Sequence, residues 1–288
     1  MSRKNWILFS IVGILWGTPY LLIRIAVRDF SPATVVCIRV TMGALILIPI
    51  AIKQKTISVA FRGIKYIIPY AIAEMLIPLM LIAKAETSIS SGLTGILIAT
   101  VPIWASIFAS LHGDKTVWHH TRLIGLVVGF VGIFLLVGIE SLTGHSALWA
   151  IAFVIFASAS YAFAVNMITR KLPDVSGIAF NGIAMAITAL ITAPFAISQW
   201  PKQAVPTAAI FSVISLGLFC TALAFILFFI VIKEIGPARA SLTTYLNTAV
   251  AVLLGVLILR EPFTLGIAIG LPLVLYGSYL AGRKTSQL

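Results

Sequence analysis

The sequence predicts an all-α polytopic membrane protein with ten transmembrane helices. The 288 residues are 60% hydrophobic and only 10% charged, with a mean hydropathy of +1.11, whereas a soluble domain averages about 25% charged residues. Ten apolar runs are each near the ~20 residues that cross a bilayer. Lysine and arginine collect in alternate gaps between these runs. Lipid is therefore the expected solvent for most of the chain.

The ten apolar runs are separated by short polar gaps that often contain proline or glycine, the usual residues of turns. No gap is long enough to hold a soluble domain. The predicted helices cover residues 5–27, 32–52, 66–84, 88–111, 122–139, 147–169, 175–199, 207–232, 237–259 and 263–282.

The basic residues predict the orientation. An even number of crossings places both termini on one face of the membrane, where the gaps and ends hold fourteen lysines and arginines against four on the opposite face. Because short loops rich in lysine and arginine stay in the cytoplasm, both the N and C termini are predicted to be cytoplasmic. The fourteen are Arg3, Lys4, Lys53, Lys55, Arg62, Lys65, Lys115, Arg122, Arg170, Lys171, Lys233, Arg239, Arg283 and Lys284, and the four are Arg28, Lys84, Lys202 and Arg260.

The composition also bears on partners. The net charge is +12. Most of the basic residues lie in the gaps between apolar runs rather than on a polar domain, so no nucleic-acid partner is expected. Cys37 and Cys220 lie inside apolar runs and show no metal-ligand spacing, so neither a metal nor another cofactor is expected. The expected partners are membrane lipids and a small-molecule solute. The sequence is compatible with a monomer and with a homodimer.

The second half of the chain repeats the pattern of the first. Residues 90–115 resemble residues 239–264, since each has a small-polar helix start, an apolar run and a charged turn; residues 146–163 similarly resemble 5–22. A period of five helices is odd, so the second copy must enter the membrane from the opposite side. We expect two inverted five-helix repeats, 1–140 and 141–288, a construction typical of transporters with a site near the midplane. Similar composition of ten apolar helices is the alternative explanation.

Several motifs carry a resemblance to a known family. They are LWGTPYLLIR (15–24), PATVVCIRVTMGAL (32–45), GPARASLTTYL (236–246) and LREPFTLGIAIGLPLVLYG (259–277), the last with Glu261 as its acid. In this order they resemble the ten-helix EamA-type members of the drug/metabolite transporter superfamily. The resemblance implies a basket of ten helices in two five-helix halves. It also implies passage of small metabolites, often amino acids or hydrophobic compounds.

The sequence departs from the family pattern in two places. Thr248 stands where a proline is expected in the ninth helix, and Asp114-Lys115 replaces a typical glycine-glutamate pair. These differences affect assignment to a subgroup rather than to the superfamily.

Glu74 is an acid near the centre of the third predicted helix, within YAIAEMLIPLM (70–80). An ionised acid at the bilayer centre costs about 2.5 to 3.5 kcal/mol, so this side chain should face a cavity or a partner. It is a candidate for substrate binding and proton coupling. The alternative is a structural role, in an ion pair with Arg24 or Arg39 or in a hydrogen bond within the bundle. The aligned position in the eighth helix is Ala222, beside Thr221, so the acid occurs in one half only.

Other polar and aromatic residues inside helices complete the predicted site. Arg39 lies about 10 Å below the end of its helix at 1.5 Å per residue, whereas Arg24 is close enough to an end to reach the interface. Prolines that kink helices are hinge candidates: Pro19, Pro78 and Pro102. The predicted substrate-binding residues are Trp16, Thr18, Tyr20, Arg39, Glu74, Tyr161, Asn166, Tyr245 and Asn247.

The leading functional hypothesis is a secondary transporter of the plasma membrane. It would export small metabolites, such as amino acids or amphiphilic and cationic compounds, by alternating access. Proton coupling through Glu74 and passive facilitation are both open. The sequence has no nucleotide-binding motif, so ATP is not expected to drive transport directly. No pair of residues typical of an intramembrane enzyme is found, so we expect no enzyme; a non-transporting structural or receptor-like membrane protein is the further alternative.

Overall fold

A computed structural model describes residues 2–113, 119–142, 147–236 and 240–282, and all regular secondary structure in these ranges is helical. A short helix, Ile57–Arg62, precedes the third long one. The long helices are α1 (Arg3–Ala26), α2 (Pro32–Lys53), α3 (Ile64–Ala85), α4 (Ser91–Leu111), α5 (His120–Leu142), α6 (Leu148–Lys171), α7 (Gly177–Ser198), α8 (Thr207–Ile235), α9 (Thr243–Leu257) and α10 (Leu265–Gly282).

In the described residues, eight of these helices, α1 to α8, are long and apolar enough to cross a membrane, and α9 and α10 are shorter apolar helices. In hydrocarbon each backbone N–H and C=O must be satisfied within the protein, which a helix achieves along its own length. The expectation of an all-α polytopic membrane protein is confirmed, while the count of ten crossings stays a prediction. The expected ninth helix, 237–259, begins at Thr243 in the structure; residues 237–239 lie outside the described ranges.

Two helices are interrupted at prolines. α1 breaks at Thr18, directly before Pro19, and α4 breaks at Ala99 and Thr100, just before Pro102. Proline has no N–H to donate to the carbonyl four residues earlier, and its ring clashes with that carbonyl. Both breaks therefore lie at predicted hinge positions.

Two other helices contain wide π-helical turns. One, Ala71–Leu76, lies in α3 and is followed by Pro78, the third hinge candidate. The other, Leu218–Leu223, lies in α8. Such turns are rare in helices and frequently occur at functional sites, because the wide turn leaves backbone carbonyls available.

The helices pack in a pattern that repeats with a shift of five. α1 packs against α8 and α9, and α6 packs correspondingly against α3 and α4. α2 contacts α8 as α7 contacts α3. The two most extensive pairings, α2 with α7 and α5 with α10, each join helices five positions apart.

The two ends of the bundle carry different side chains, and we name them the Lys4 end and the Arg24 end after residues near the start and the end of α1. At the Lys4 end, Lys4 pairs with Glu234 (Nζ–Oε1 3.6 Å), and Lys65 and Lys171 lie over the ring of Tyr66. The Arg24 end holds the opposite termini of the same helices. Lys115, Arg239, Arg283 and Lys284, which contributed to the predicted orientation, lie outside the described residues. The cytoplasmic location of the termini stays a prediction.

Glycines bring α5 and α10 close together. A Cβ added to Gly277 would lie 2.3 Å from the backbone N and 2.5 Å from Cα of Gly129, and one added to Gly125 would lie 2.5 Å from the backbone N of Ala281. Backbone atoms cannot move aside as flexible side-chain ends do. The absence of side chains here permits the backbone-to-backbone packing typical of membrane helices.

We expect Gly277→Val to lower the free energy of unfolding by about 3 kcal/mol, because overpacking at a backbone contact forces the helices apart. Ala268→Val, on an exposed position of the same helix, should change it by less than about 0.5 kcal/mol. Unfolding in detergent micelles measures both; equal effects would show that the α5–α10 contact is loose.

Candidate functional site

Glu74 lies inside the π-helical turn of α3 and pairs with no charged group among the described residues. Its Oε2 is buried and lacks a hydrogen-bond partner in the described part of the chain, while the residue as a whole is partly accessible. Arg24 and Arg39 each donate to other groups. Among the described residues the structure therefore shows no ion pair between Glu74 and either arginine, which was one alternative for a structural role.

A hydroxyl group from a neighbouring helix satisfies a carbonyl of the turn that holds Glu74, and a second hydroxyl lies close by. Ser160 Oγ of α6 donates to the carbonyl of Ala73 at 2.7 Å, and Thr188 Oγ1 of α7 is 3.5 Å from the carbonyl of Ala71. Side-chain donors are needed here because irregular backbone in a membrane must find partners within the protein. Thr188 donates to Ala184 O of its own helix at 2.9 Å, so the hydrogen bond that holds the turn, and Glu74 with it, comes from α6.

Arg39 is fixed by the π-helical turn of the other half. Its Nε donates to Thr221 Oγ1 at 2.7 Å. The approach of α2 to α7 and α8 depends on Gly43, where a Cβ would lie 2.6 Å from Met185 Sδ and 2.9 Å from Thr221 Cγ2.

Three tyrosines complete a cluster around these two charges. Glu74 interacts electrostatically with the hydroxyl groups of Tyr70 and Tyr161, and Arg39 does so with Tyr161 and Tyr20. Tyr70 is anchored by donating to Asn181 Oδ1 at 3.0 Å. We call Tyr20, Arg39, Tyr70, Glu74 and Tyr161 the central polar cluster. It draws on α1, α2, α3 and α6.

Aromatic rings connect the cluster to the Lys4 end. Trp16 of α1 packs on Phe225 and Phe228 of α8, with centroids 5.6 and 4.5 Å apart. A chain of ring contacts then runs from Phe225 through Phe229 and Phe180 to Tyr70, with centroids 6.2, 6.5 and 5.2 Å apart. We call these rings the aromatic chain. It forms an apolar surface that reaches the central polar cluster at Tyr70, and Trp16 belongs to this surface.

The structure does not bring the remaining predicted residues into the cluster. Thr18 Oγ1 donates to the carbonyl of Ile14, and Asn166 Nδ2 to that of Ala162, each within its own helix. Tyr245 packs its ring against Tyr279, 6.4 Å away. Asn247 is buried, and its Oδ1 accepts from Thr248. Substrate binding by these four residues stays a prediction.

The sequence-based site omitted three residues that the structure places beside it. Tyr70 precedes Glu74 by four positions, a spacing that puts both on one face of a helix. Thr221 was noted only as the neighbour of Ala222, and Ser160 adjoins Tyr161. Within the described ranges, histidine, cysteine, aspartate and glutamate side chains do not gather in groups of three or more.

Comparison with known families decides the class of protein. The model of the EamA-like transporter family matches this chain twice, over residues 4–138 and 148–283. The chain belongs to the EamA-like transporter family. It is a multi-pass integral membrane protein, as the apolar helices indicate.

Several proteins that are similar to this chain are named as transporters. An uncharacterized transporter of Archaeoglobus fulgidus is 23% identical over 98% of this chain and 99% of its own length. The uncharacterized transporter YoaV of Bacillus subtilis is 25% identical over 93% of both chains. The uncharacterized inner membrane transporter YedA of Escherichia coli is 26% identical over 84% of this chain and 78% of its own.

A solved crystal structure shares the fold. It is 16% identical to this chain and superposes with a TM-score of 0.65, over 97% of this chain and 98% of the other. At this identity the likeness concerns the path of the backbone alone.

We expect Ser160→Ala to lower the free energy of unfolding by about 1 kcal/mol, since it removes the donor to the Ala73 carbonyl; interhelical hydrogen bonds in membranes reach about 1.7 kcal/mol. Ser198→Ala is the control, because that exposed hydroxyl donates only within its own helix. Denaturant titration in micelles compares the two. Equal losses would mean that α6 does not hold the π-helical turn.

Proposed function

We propose that this chain is a secondary transporter that moves a small organic solute by alternating access, with the central polar cluster as its binding site. The observation that carries the proposal is the Glu74 carboxylate, which lies in a membrane-spanning helix and has no ion-pair partner in the part of the chain that the structure describes. Charged groups inside membrane spans are costly and are retained where they bind substrate or carry protons.

The architecture that we propose is ten crossings in two inverted repeats, 1–140 and 141–288, with both termini in the cytoplasm. Three observations support it. The family model matches once in each half, helix contacts recur with a shift of five, and the π-helical turns lie in α3 and α8, five helices apart. The excess of basic residues supports the orientation.

The cluster suggests the chemistry of the solute. Glu74 offers a negative charge to a cationic group, Arg39 offers guanidinium N–H donors to a carboxylate or another acceptor, and the aromatic chain offers apolar surface. Amino acids and amphiphilic or cationic organic compounds have these features, and we propose that the chain exports such metabolites. Glu74 is the candidate for proton coupling, because a carboxyl can exchange a proton for a cationic substrate.

A melting-temperature screen of amino acids and amphiphilic cations on the purified protein identifies the solute to be tested, because a ligand that binds the folded state raises its melting temperature. We expect at least one compound of these classes to raise the melting temperature and to show counterflow in liposomes. Absence of counterflow for every ligand that binds would favour a receptor-like or structural role.

With that solute, we expect Glu74→Gln to abolish the pH dependence of flux while the protein still inserts and folds, because glutamine keeps the shape and cannot release a proton. Flux is measured in proteoliposomes over a range of pH. Glu234→Gln is the matched control, since that acid lies in an exposed ion pair at the Lys4 end. If Glu74→Gln transports like the parent at each pH, Glu74 does not couple protons.

A passive facilitator is the second candidate, and the same liposomes distinguish it. A proton-coupled transporter accumulates solute against its gradient when a pH gradient is applied. A facilitator shows counterflow but no accumulation.

A further inference from the structure

The connection between α9 and α10 meets the connection between α3 and α4 at the Arg24 end of the bundle. Glu261, between α9 and α10, reaches the first residues of α4: its carboxylate accepts from Ser91 N (2.8 Å), Ser91 Oγ (2.9 Å) and Gly92 N (3.1 Å). A negative charge at the start of a helix is also favoured by the helix dipole. These three hydrogen bonds join the two halves of the chain, and we call them the latch.

The chain is strained where it enters the latch. Arg260 adopts φ +56°, a left-handed conformation that is uncommon for a residue other than glycine. The backbone then turns back, with Glu261 N donating to the carbonyl of Gly255 at 3.0 Å. A Cβ on Gly255 would lie 2.3 Å from Glu261 Oε2. Such strain persists only where surrounding contacts hold it, so opening the latch would release it.

A second acid, Glu86, lies beside the latch in the connection between α3 and α4. It is fully buried, at 0% exposure, and neither carboxylate oxygen has a hydrogen-bond partner within the described ranges. Arg24 Nη1 donates to its backbone carbonyl. A buried carboxylate without donors is unfavourable when charged and acceptable when protonated.

The groups that face Glu86 come from three elements. Tyr20 and Arg24 belong to α1, Arg39 to α2, and Glu261 to the connection between α9 and α10. Burial raises the pKa of Glu86 well above its ordinary value of 4.5, and the neighbouring Glu261 raises it further, while Arg24 and Arg39 act in the opposite direction.

We propose that Glu86 is a second proton-binding site and that loss of its proton opens the latch. With Glu86 neutral, the two connections pack together and close the central polar cluster at the Arg24 end. When the proton leaves to water on that face, a buried negative charge remains near the Glu261 carboxylate. Separation of the connections then hydrates Glu86 and releases the strain at Arg260. The closing role rests on the proposed function, but the test of the latch needs no solute.

The direction of the pH effect follows from linkage. The closed latch holds Glu86 with a raised pKa, so the closed state is fully stabilised below about pH 4.5, where Glu86 is protonated in either state. Its advantage is lost as pH rises through the closed-state pKa. For one proton, the open-to-closed ratio rises at most about tenfold per pH unit in this window.

Hydrogen exchange of the Ser91 and Gly92 amides, which donate to Glu261, reports this opening. The full chain is measured in lipid nanodiscs over a pH series, and rates are corrected for the intrinsic pH dependence of exchange. We expect the corrected rates of the parent to rise with pH, and those of Glu86→Gln to stay slow at all pH values because glutamine mimics the protonated acid. Glu234→Gln should behave like the parent.

Two further variants separate the proposal from a simple loss of folding. Glu86→Asp keeps a titratable carboxyl and should retain a pH dependence. Arg260→Gly relieves the strain and should slow exchange at each pH. Amides in the centre of α7 report whether each variant is folded. The proposal is overturned if folded Glu86→Gln shows the parent's pH dependence, if folded Glu86→Asp loses it, or if the parent shows none.

Discussion

The site depends on one constraint: Glu74 lies in the middle of a membrane-spanning helix, and no described residue forms an ion pair with it. In lipid, Glu74 would cost several kcal/mol when ionised, so the helices around it must provide a polar environment. The wide turn in α3 places the acid, and the hydroxyl group of Ser160 donates to the Ala73 carbonyl of that turn. The result is a polar centre in a bundle whose outer surface is apolar.

The two ends of the bundle next to that centre differ in their chemistry. Toward the Lys4 end, the aromatic chain packs ring against ring, and such contacts can slide or separate without leaving a buried charge. At the Arg24 end, the latch and the buried Glu86 involve charged and hydrogen-bonded groups, whose separation depends on protonation. An alternating-access mechanism needs two closures that open independently. Interrupted helices at Thr18 and at Thr100 provide backbone where such motion can occur.

Much of the fold follows from the sequence because hydrophobic length and proline have strong local effects. The bounds of α2 and α7 agree with the predicted ends within two residues. The breaks in α1 and α4 lie next to Pro19 and Pro102, two of the predicted hinge residues. The sequence carries no comparable signal for the π-helical turns, since the turn in α8 contains no proline. The sequence also could not predict which face of α9 carries Tyr245, since a helix that is apolar all round has no periodic pattern that indicates a face. The latch joins residues 170 positions apart, and Glu86 resembles an ordinary loop acid in the sequence.

Accessibility of position 74 to water is the most direct test of a polar chamber between the halves. Glu74→Cys is compared with Ile72→Cys, which lies in the same wide turn on the exposed, apolar side of α3, with Cys37 and Cys220 replaced by alanine in both. Membrane-impermeant thiol reagents are applied to protein in lipid bilayers from each face. The account predicts labelling at position 74 and little at position 72, because thiolate forms only where water reaches. Equal resistance at both positions, in protein that folds normally, would contradict it.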